Sequence, residues 1–438
     1  MRSKFKKTML RPLYRFLDTQ NLSSRLLFVA TIAALILANS SYAGLYERFW
    51  HTILAINVGS FSLSFSLAHW ISDGLMAIFF FVIGLEIKRE ILVGELSDWQ
   101  KAGLPIFAAI GGMLVPALIY LLFNYGEAGS RGWGIPMATD IAFALGCLLI
   151  LGDKISPTLK VFLLALAIVD DIGAILVIAL FYTSSISLPA LIIALGILLL
   201  LLCLNILNIN EPAPYVILGI LLWLAVLQSG LHTTLAGVIL AMFITAKSLY
   251  TPKDFVLTTK QILKEFPEQE WQIMCVDSEQ RQALRSIEEA VNKTDTPLQR
   301  LEDAIHPLSA YLIIPLFALA NAGVDIFGSS AGVSMNNPIT LGVLAGLILG
   351  KQIGITLFAY LAVRMSIASL PDGMCWWDIY GLSCLGGIGF SMSLFISNLA
   401  FASPLLLNQA KIGIIMASIM SAIIGVLVLK RFSATEST

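Results

Sequence analysis

The chain has 438 residues, of which 58% are hydrophobic and only 13% charged, with a net charge of −1 and a mean hydropathy of +0.86. A soluble domain carries about a quarter charged residues, so most of this chain's exterior faces something other than water, and lipid is the solvent that fits. The near-zero net charge argues against nucleic acid as a partner, and five scattered cysteines (Cys147, Cys203, Cys275, Cys375, Cys384) with no CxxC pair suggest neither a zinc site nor a disulfide framework.

In chain order, residues 1–23 form a basic, polar tail. No small-residue cleavage site follows the first apolar run, which therefore reads as a retained helix, not a signal peptide. A helix needs about 20 apolar residues to cross a bilayer. Twelve candidate spans start near Ser24, Trp70, Gly103, Gly134, Pro157, Leu188, Pro214, Leu231, His306, Thr340, Tyr380 and Ala410. The first eight fill residues 24–248 and the last four residues 306–431. Only a Gln-Ser-Gly turn divides the seventh from the eighth; if they merge, the count is eleven and the C-terminus changes sides. Within residues 52–68, TILAINVGSFSLSFSLA, polar and apolar side chains alternate around Gly59-Ser60. That pattern reads as a β-hairpin outside the membrane or as an ordered surface loop. A hairpin's open edge could pair with a second copy of the chain. Residues 249–305 form a charged insert with an amphipathic stretch at Glu279–Val291, and residues 432–438 are a short tail.

Cytoplasmic loops are enriched in lysine and arginine. The N-terminal tail holds Arg2, Lys4, Lys6, Lys7, Arg11 and Arg15. With that tail inside, the inner loops hold Lys88, Arg89, Lys101, Lys154, Lys160 and Lys247, and the end of the last span holds Lys430 and Arg431. The outer loops hold only Arg48, Arg131 and, near the start of the last span, Lys411. This asymmetry supports an all-α polytopic membrane protein of twelve spans, with both termini and the insert cytoplasmic.

An ionisable side chain inside a span costs several kcal/mol and is a functional candidate by default. Asp140, Asp170, Asp171 and Lys351 stand near the middles of their spans, while Asp73 and Glu86 lie nearer the ends. Asp170 and Asp171 occur in LLALAIVDDIGAILVIAL. Helix neighbours point about 100° apart, so one carboxylate can face a cavity and the other a neighbouring helix. Poor solvation makes a carboxylate hold its proton, and a deprotonated one offers oxygen to a hard cation such as Na⁺. If proton and cation compete for one carboxylate, binding one expels the other, and that competition is exchange. A salt-bridged or hydrogen-bonded core pair is the alternative.

Asp140 lies in GWGIPMATDIAFALG, where Gly134 and Pro136 interrupt the helix. A broken helix leaves N–H groups with partial positive charge. A carboxylate offsets that field, and Thr139 supplies an oxygen. The alternative is a proline kink with Asp140 facing water. Lys351, in LAGLILGKQIGITLFAY, has long apolar flanks on both sides, and either pairs with an aspartate or offsets the negative ends of a broken helix. SCLGGIGFSMSLF, with Gly381 just before it, puts Gly381, Gly386, Gly387 and Gly389 in one span, which suggests a second broken helix or close packing through small residues. Interrupted spans in matching positions of two halves point to a secondary transporter's site. Here the fourth and eleventh spans match if spans 3–5 and 10–12 are inverted repeats.

Seven stretches in this order carry a family resemblance: SDGLMAIFFFVIGLEIKRE, MATDIAFALG, LALAIVDDIGAI, SGLHTTLAGV, HPLSAYLIIPLFALANAG, GLILGKQIGI and GGIGFSMSLFI. From about Leu22 to Arg431 the chain resembles the NhaA sodium/proton antiporters of bacterial inner membranes. The resemblance implies twelve spans in inverted-topology repeats with two broken crossing helices, and a small extracytoplasmic β-hairpin through which the chain dimerises. It implies electrogenic, pH-regulated exchange of internal Na⁺ or Li⁺ for external H⁺ by alternating access, with no cofactor. By the same resemblance Asp171 is the principal cation- and proton-binding carboxylate, with Asp170 beside it. Thr139 and Asp140 line the crossing, and Lys351 pairs with Asp170 or itself carries a proton. Glu86, Lys88, Arg89, Glu90 and Glu302 form a cytoplasmic cluster tied to pH regulation, and His232 tunes transport. The chain departs from the family in its long insert and in RLEDAIHP, where Asp303 replaces a histidine of some members.

Two other classes remain to be weighed. A sodium-coupled organic-anion symporter would favour neutral oxygen ligands and a cationic anion site, and the buried carboxylates speak against it. An intramembrane hydrolase would place its two aspartates on different helices, whereas these are contiguous. No GxxxxGK[ST] loop is present, which disfavours an ATP-driven pump.

Overall fold

A computed structural model describes residues 11–59, 61–152, 155–183, 187–266, 278–324 and 336–432. The N-terminal part of the basic tail, Ser60, Lys154, Cys275 with the middle of the insert, and the C-terminal tail after Phe432 lie outside the described residues. The order is α1 (Arg11–Ala38), α2 (Ala43–His51), β1 (Ile53–Val58), β2 (Phe61–Ser66), α3 (Leu67–Val93) and α4 (Trp99–Asn124). Next come α5 (Ala128–Met137, wound as a 3-10 helix), α6 (Ile141–Ile150), α7 (Pro157–Phe181), α8 (Leu188–Ile206), α9 (Pro212–Ser229) and α10 (Thr234–Phe243). The insert contributes α11 (Pro252–Lys264) and α12 (Ser278–Thr294). Then follow α13 (Pro297–Asn321), α14 (Pro338–Arg364), α15 (Trp376–Gly386), α16 (Phe390–Ala400) and α17 (Pro404–Phe432).

Hydrocarbon offers backbone groups no partners, so apolar runs become helices. Their starts follow ordinary capping chemistry. Ser156 accepts from the Leu159 N–H ahead of α7, and Asn337 accepts from the Ile339 N–H ahead of α14. Proline opens both helices, where its missing N–H costs nothing. The Gln-Ser-Gly turn does separate two helices: α9 ends on Gly230 at φ +83°, a left-handed conformation that glycine adopts without strain.

Among the described residues eight helices are long and apolar enough to cross a membrane: α3, α4, α7, α8, α9, α13, α14 and α17. Three bent pairs raise the number to as many as eleven: Leu22–Ala38 with α2 (114°), α5 with α6 (45°), and α15 with α16 (44°). The expected eighth span is the ten-residue α10, about 15 Å long against a core of about 30 Å. The ninth expected span begins earlier than His306, at Pro297. Lys411, expected in an outer loop, lies inside α17 and is buried.

The stretch 52–68 forms the expected hairpin. β1 and β2 pair antiparallel from Ile53 opposite Ser66 to Val58 opposite Phe61. The Trp70 indole N–H donates to the Leu54 carbonyl at 3.0 Å and ties the hairpin to α3.

Helices α4 and α14 cross in backbone contact. A Cβ at Gly354 would stand 2.1 Å from the Gly111 carbonyl oxygen, and one at Gly111 would stand 2.2 Å from the Gly354 oxygen. Only glycine permits this approach. It sets Lys351 against α4, with its amine 3.6 Å from where a Cβ on Gly112 would be.

Candidate ion site at two broken helices

The breaks in α5–α6 and α15–α16 meet inside the molecule. The Asp140 N–H donates to the Ile388 carbonyl at 2.6 Å. The Asp140 carboxylate accepts from the Phe143 N–H at 3.0 Å through Oδ1 and from the Ser391 N–H at 2.8 Å through Oδ2. One buried carboxylate thus caps the N-termini of both α6 and α16 and offsets two positive helix ends. The Ser393 hydroxyl, also buried, donates to the Ile135 carbonyl at 2.7 Å, near the end of α5. Glycine and proline broke these helices in the sequence, and the freed backbone groups find partners across the crossing.

Asp170 and Asp171 lie on α7 beside this crossing, and both are buried. Lys351, likewise fully buried, donates from Nζ to Asp170 Oδ2 at 2.5 Å. The Thr139 hydroxyl stands 2.7 Å from the same Oδ2 and 2.9 Å from the Gly386 carbonyl. Its single proton serves one acceptor at a time. Asp170 is therefore held by two other elements, α14 and the α5–α6 break. Asp171 has no such partner; the Oδ1 atoms of both aspartates are buried without a hydrogen bond, and what separates the two is the grip of Lys351 and Thr139 on Asp170 Oδ2. The Asp171 side chain instead borders a small cavity of about 50 Å³, lined also by Thr139, Asp140, Ser391, Glu86 and His306. A water needs about 10–15 Å³ by this kind of measure, so the cavity has room for a small ion and a few waters.

Along the cavity from the crossing lies the second group of candidates. His306 Nε2 of α13 is 3.7 Å from Glu86 Oε1 of α3. Arg89 Nη1 pairs with Glu302 Oε1, and Arg89 Nη2 lies 3.2 Å from Glu90 Oε1. Glu90 Oε2 also accepts from the Glu95 N–H at 3.0 Å, which closes the turn after α3. Glu86, Arg89, Glu90 and Glu302 thus lie together.

Lys88 and His232 do not join this group. Lys88 Nζ donates to the carbonyls of Met242 (2.7 Å) and Ile244 (2.5 Å), and so caps the C-terminal end of the short α10. The His232 Nε2 meets the Tyr182 carbonyl just past α7. Sequence reading passed over Ser391, Ser393 and His306. The serines lie in GGIGFSMSLF, where the glycines drew attention first, and the histidine opens the HPLSAYL motif.

The family described as Na⁺/H⁺ antiporter 1 matches residues 14–429. The chain is 48% identical over 416 residues to the Na⁺/H⁺ antiporter NhaA of Sulfurimonas denitrificans, covering 94% of each chain. It is 46% identical to the Na⁺/H⁺ antiporter NhaA of Koribacter versatilis, covering 97% of this chain and 92% of that one. This chain belongs to the NhaA family. The Oleidesulfovibrio alaskensis member, 47% identical, covers 96% of this chain and 94% of its own length. In this NhaA family member the match takes in both broken helices, the Asp170–Asp171 pair and Lys351.

Proposed function

We infer that the chain is a Na⁺/H⁺ antiporter, a secondary transporter and not an enzyme. The observation that supports the site assignment is Asp171: a buried carboxylate that, unlike Asp170, has no lysine on it and borders a small cavity where two helices break. Na⁺, or Li⁺, is bound as cargo by the carboxylate oxygens of this region, Asp171 first and Asp170 beside it. A proton takes the same carboxylate when the cation leaves. Lys351 holds the charge of Asp170; it releases its own proton when Na⁺ binds and takes one up when Na⁺ leaves, and that second proton makes exchange electrogenic. Thr139 and Asp140 stabilise the crossing while its halves shift, so that Asp171 opens to one side at a time. Glu86 on the cavity lining, with Arg89, Glu90 and Glu302 beside it, sets the pH dependence. His232, and Lys88 through the end of α10, tune it from outside.

The remaining architecture follows the same reading. Counting α10 and the bent pairs gives twelve spans, with spans 3–5 and 10–12 as inverted repeats. Lysine and arginine placement puts both termini and the insert in the cytoplasm of a bacterial inner membrane. The hairpin's free edges support a homodimer. An organic-anion symporter would need more room than about 50 Å³ beside the carboxylates.

Everted vesicles with a pH-sensitive dye and an imposed proton gradient test the proposal. Na⁺ and Li⁺, but not K⁺, should dissipate the gradient. If neither ion does so at any pH from mildly acidic to alkaline, antiport is wrong. If Asp171→Asn leaves exchange intact, the function stands and the site assignment falls.

A further inference from the structure

The first helix of the insert, α11, starts shortly after the end of α10 and is tied down there. The N–H groups of Leu249 and Tyr250 both donate to the Lys293 carbonyl, at 2.9 and 3.0 Å, in the last turn of α12. The Leu298 N–H, in the first turn of α13, donates to the Thr245 carbonyl at 3.3 Å. Both ends of the insert are therefore held where α10 ends and where α13, long and apolar enough to cross a membrane, begins. A capping box of Thr251 and Asp254 starts α11, with Pro252 at its first position.

The exposed side of α11 is ordered by charge and by apolarity at once. At about 100° per residue, Lys253, Lys260 and Lys264 point within about 20° of one direction. Val256 and Leu263 lie about 60–80° to one side of that stripe, and Leu257 about 40° to the other. All six side chains are exposed, as is Leu249 just before the helix. Phe255, Thr258 and Ile262 point roughly the opposite way and are half-buried, and α12 packs on α11. The acids stand apart from the stripe: Asp254 and Glu265 lie about 100–120° from the lysines. Asp254 is taken up by Thr251, and Glu265 accepts from Gln261 at 3.4 Å. Among the described residues none of the three lysines has a hydrogen bond or an ion pair. A soluble acidic partner needs only the lysines and leaves the leucines in water. A lipid surface uses both, because apolar side chains enter the acyl boundary while lysine stems carry their ammonium groups back to the phosphates.

We propose that α11 lies in the membrane interface, with Val256, Leu257 and Leu263 in the acyl boundary and Lys253, Lys260 and Lys264 on the phosphates of anionic lipids. The inference rests on the reading that α10 and α13 are embedded in lipid, and it is independent of the ion chemistry. The insert is then not a free cytoplasmic loop: its first helix is a foot on the bilayer, fastened to the ends of two spans.

Hydrogen exchange of the full chain at neutral pH tests this, in nanodiscs of phosphatidylglycerol or of phosphatidylcholine. A lysine at an anionic surface is worth about fivefold in binding, so the α11 amides should exchange about 100-fold more slowly in phosphatidylglycerol. Lys260→Gln should lose about fivefold of that slowing, and K253Q/K260Q/K264Q nearly all of it. V256S/L257S/L263S keeps every lysine and should lose the slowing too, which purely ionic attraction would leave in place. K253R/K260R/K264R should retain it, a control that a misfolded insert would not pass. Equal exchange of α11 in the two lipids, or slowing that survives either the glutamine or the serine triple variant, would overturn the proposal. If the central amides of α10 and α13 are protected in both discs while α11 ignores lipid charge, the proposal falls alone. Loss of protection in α10 and α13 themselves would instead remove the embedding it rests on.

Discussion

Helix α7 presents two adjacent aspartates to unlike surroundings. Toward α14 and the first helix break, Asp170 is met by an ammonium and a hydroxyl, and the ion pair is wholly out of water. Asp171 borders the cavity, which Asp170 does not line, and among the described residues no side chain of another element holds it; an unbonded Oδ1 is common to both. The same side chain is thus structural on one side and available on the other. A buried charge that is paired is costly to unpair, whereas an unpaired one waits for a proton or a cation.

Substitution should separate the two sides, most sharply at the ion pair. Asp170→Asn leaves Lys351 buried and unpaired and should cost about 3–5 kcal/mol of stability. Asp171→Asn breaks no hydrogen bond at Oδ1 and should leave thermal unfolding in detergent nearly unchanged while abolishing exchange. Equal destabilisation by the two variants would erase the distinction. Adding Lys351→Met to Asp170→Asn should recover part of the loss, because no charge is then left unpaired.

The next test moves the ion pair without touching its charges. Gly354→Ala forces a methyl against the Gly111 carbonyl and should cost about 1–3 kcal/mol. Exchange should fall with it, since the α4–α14 contact positions Lys351. A smaller effect is expected at the crossing. Ser393→Ala leaves the Ile135 carbonyl without its donor and should cost about 1 kcal/mol, read by thermal unfolding.

Much of this site is legible in the sequence. Asp140, Asp170, Asp171 and Lys351 stand out because charge is rare in apolar runs, and glycine and proline mark the breaks. The hairpin follows from alternation around Gly59. Which aspartate meets Lys351 is not legible from composition: the partners are 181 residues apart, and their pairing depends on the Gly111–Gly354 contact. Lys88 misleads for a similar reason. It reads as one more charge in an ionic cluster, yet it bonds the end of α10, which reads in sequence as a full span and is only ten residues long. Lys411 reads as a charge at the outer start of the last span but lies buried within α17, because that helix begins earlier, at Pro404.

A carboxylate outside the membrane gives the weakest contrast. Thr251 donates its N–H and hydroxyl to Asp254 at the start of α11, which holds that carboxyl below its ordinary value. The cap's contribution is fully present above the unfolded pKa of about 3.9 and is lost as pH falls through the lower folded value. Hydrogen exchange at the first turn of α11 should quicken only in that acid range. Fraying at neutral pH would show that the cap does not hold the helix.

The central claim is that one carboxylate, Asp171, serves proton and Na⁺ in turn. The direct measurement is the Na⁺ concentration giving half-maximal exchange in vesicles, followed across pH. In the acidic range, where protons hold the site, competition predicts that this concentration rises about tenfold for each pH unit lowered, with the maximal rate at saturating Na⁺ preserved. A half-saturation constant that stays level while the maximal rate falls would contradict a shared site.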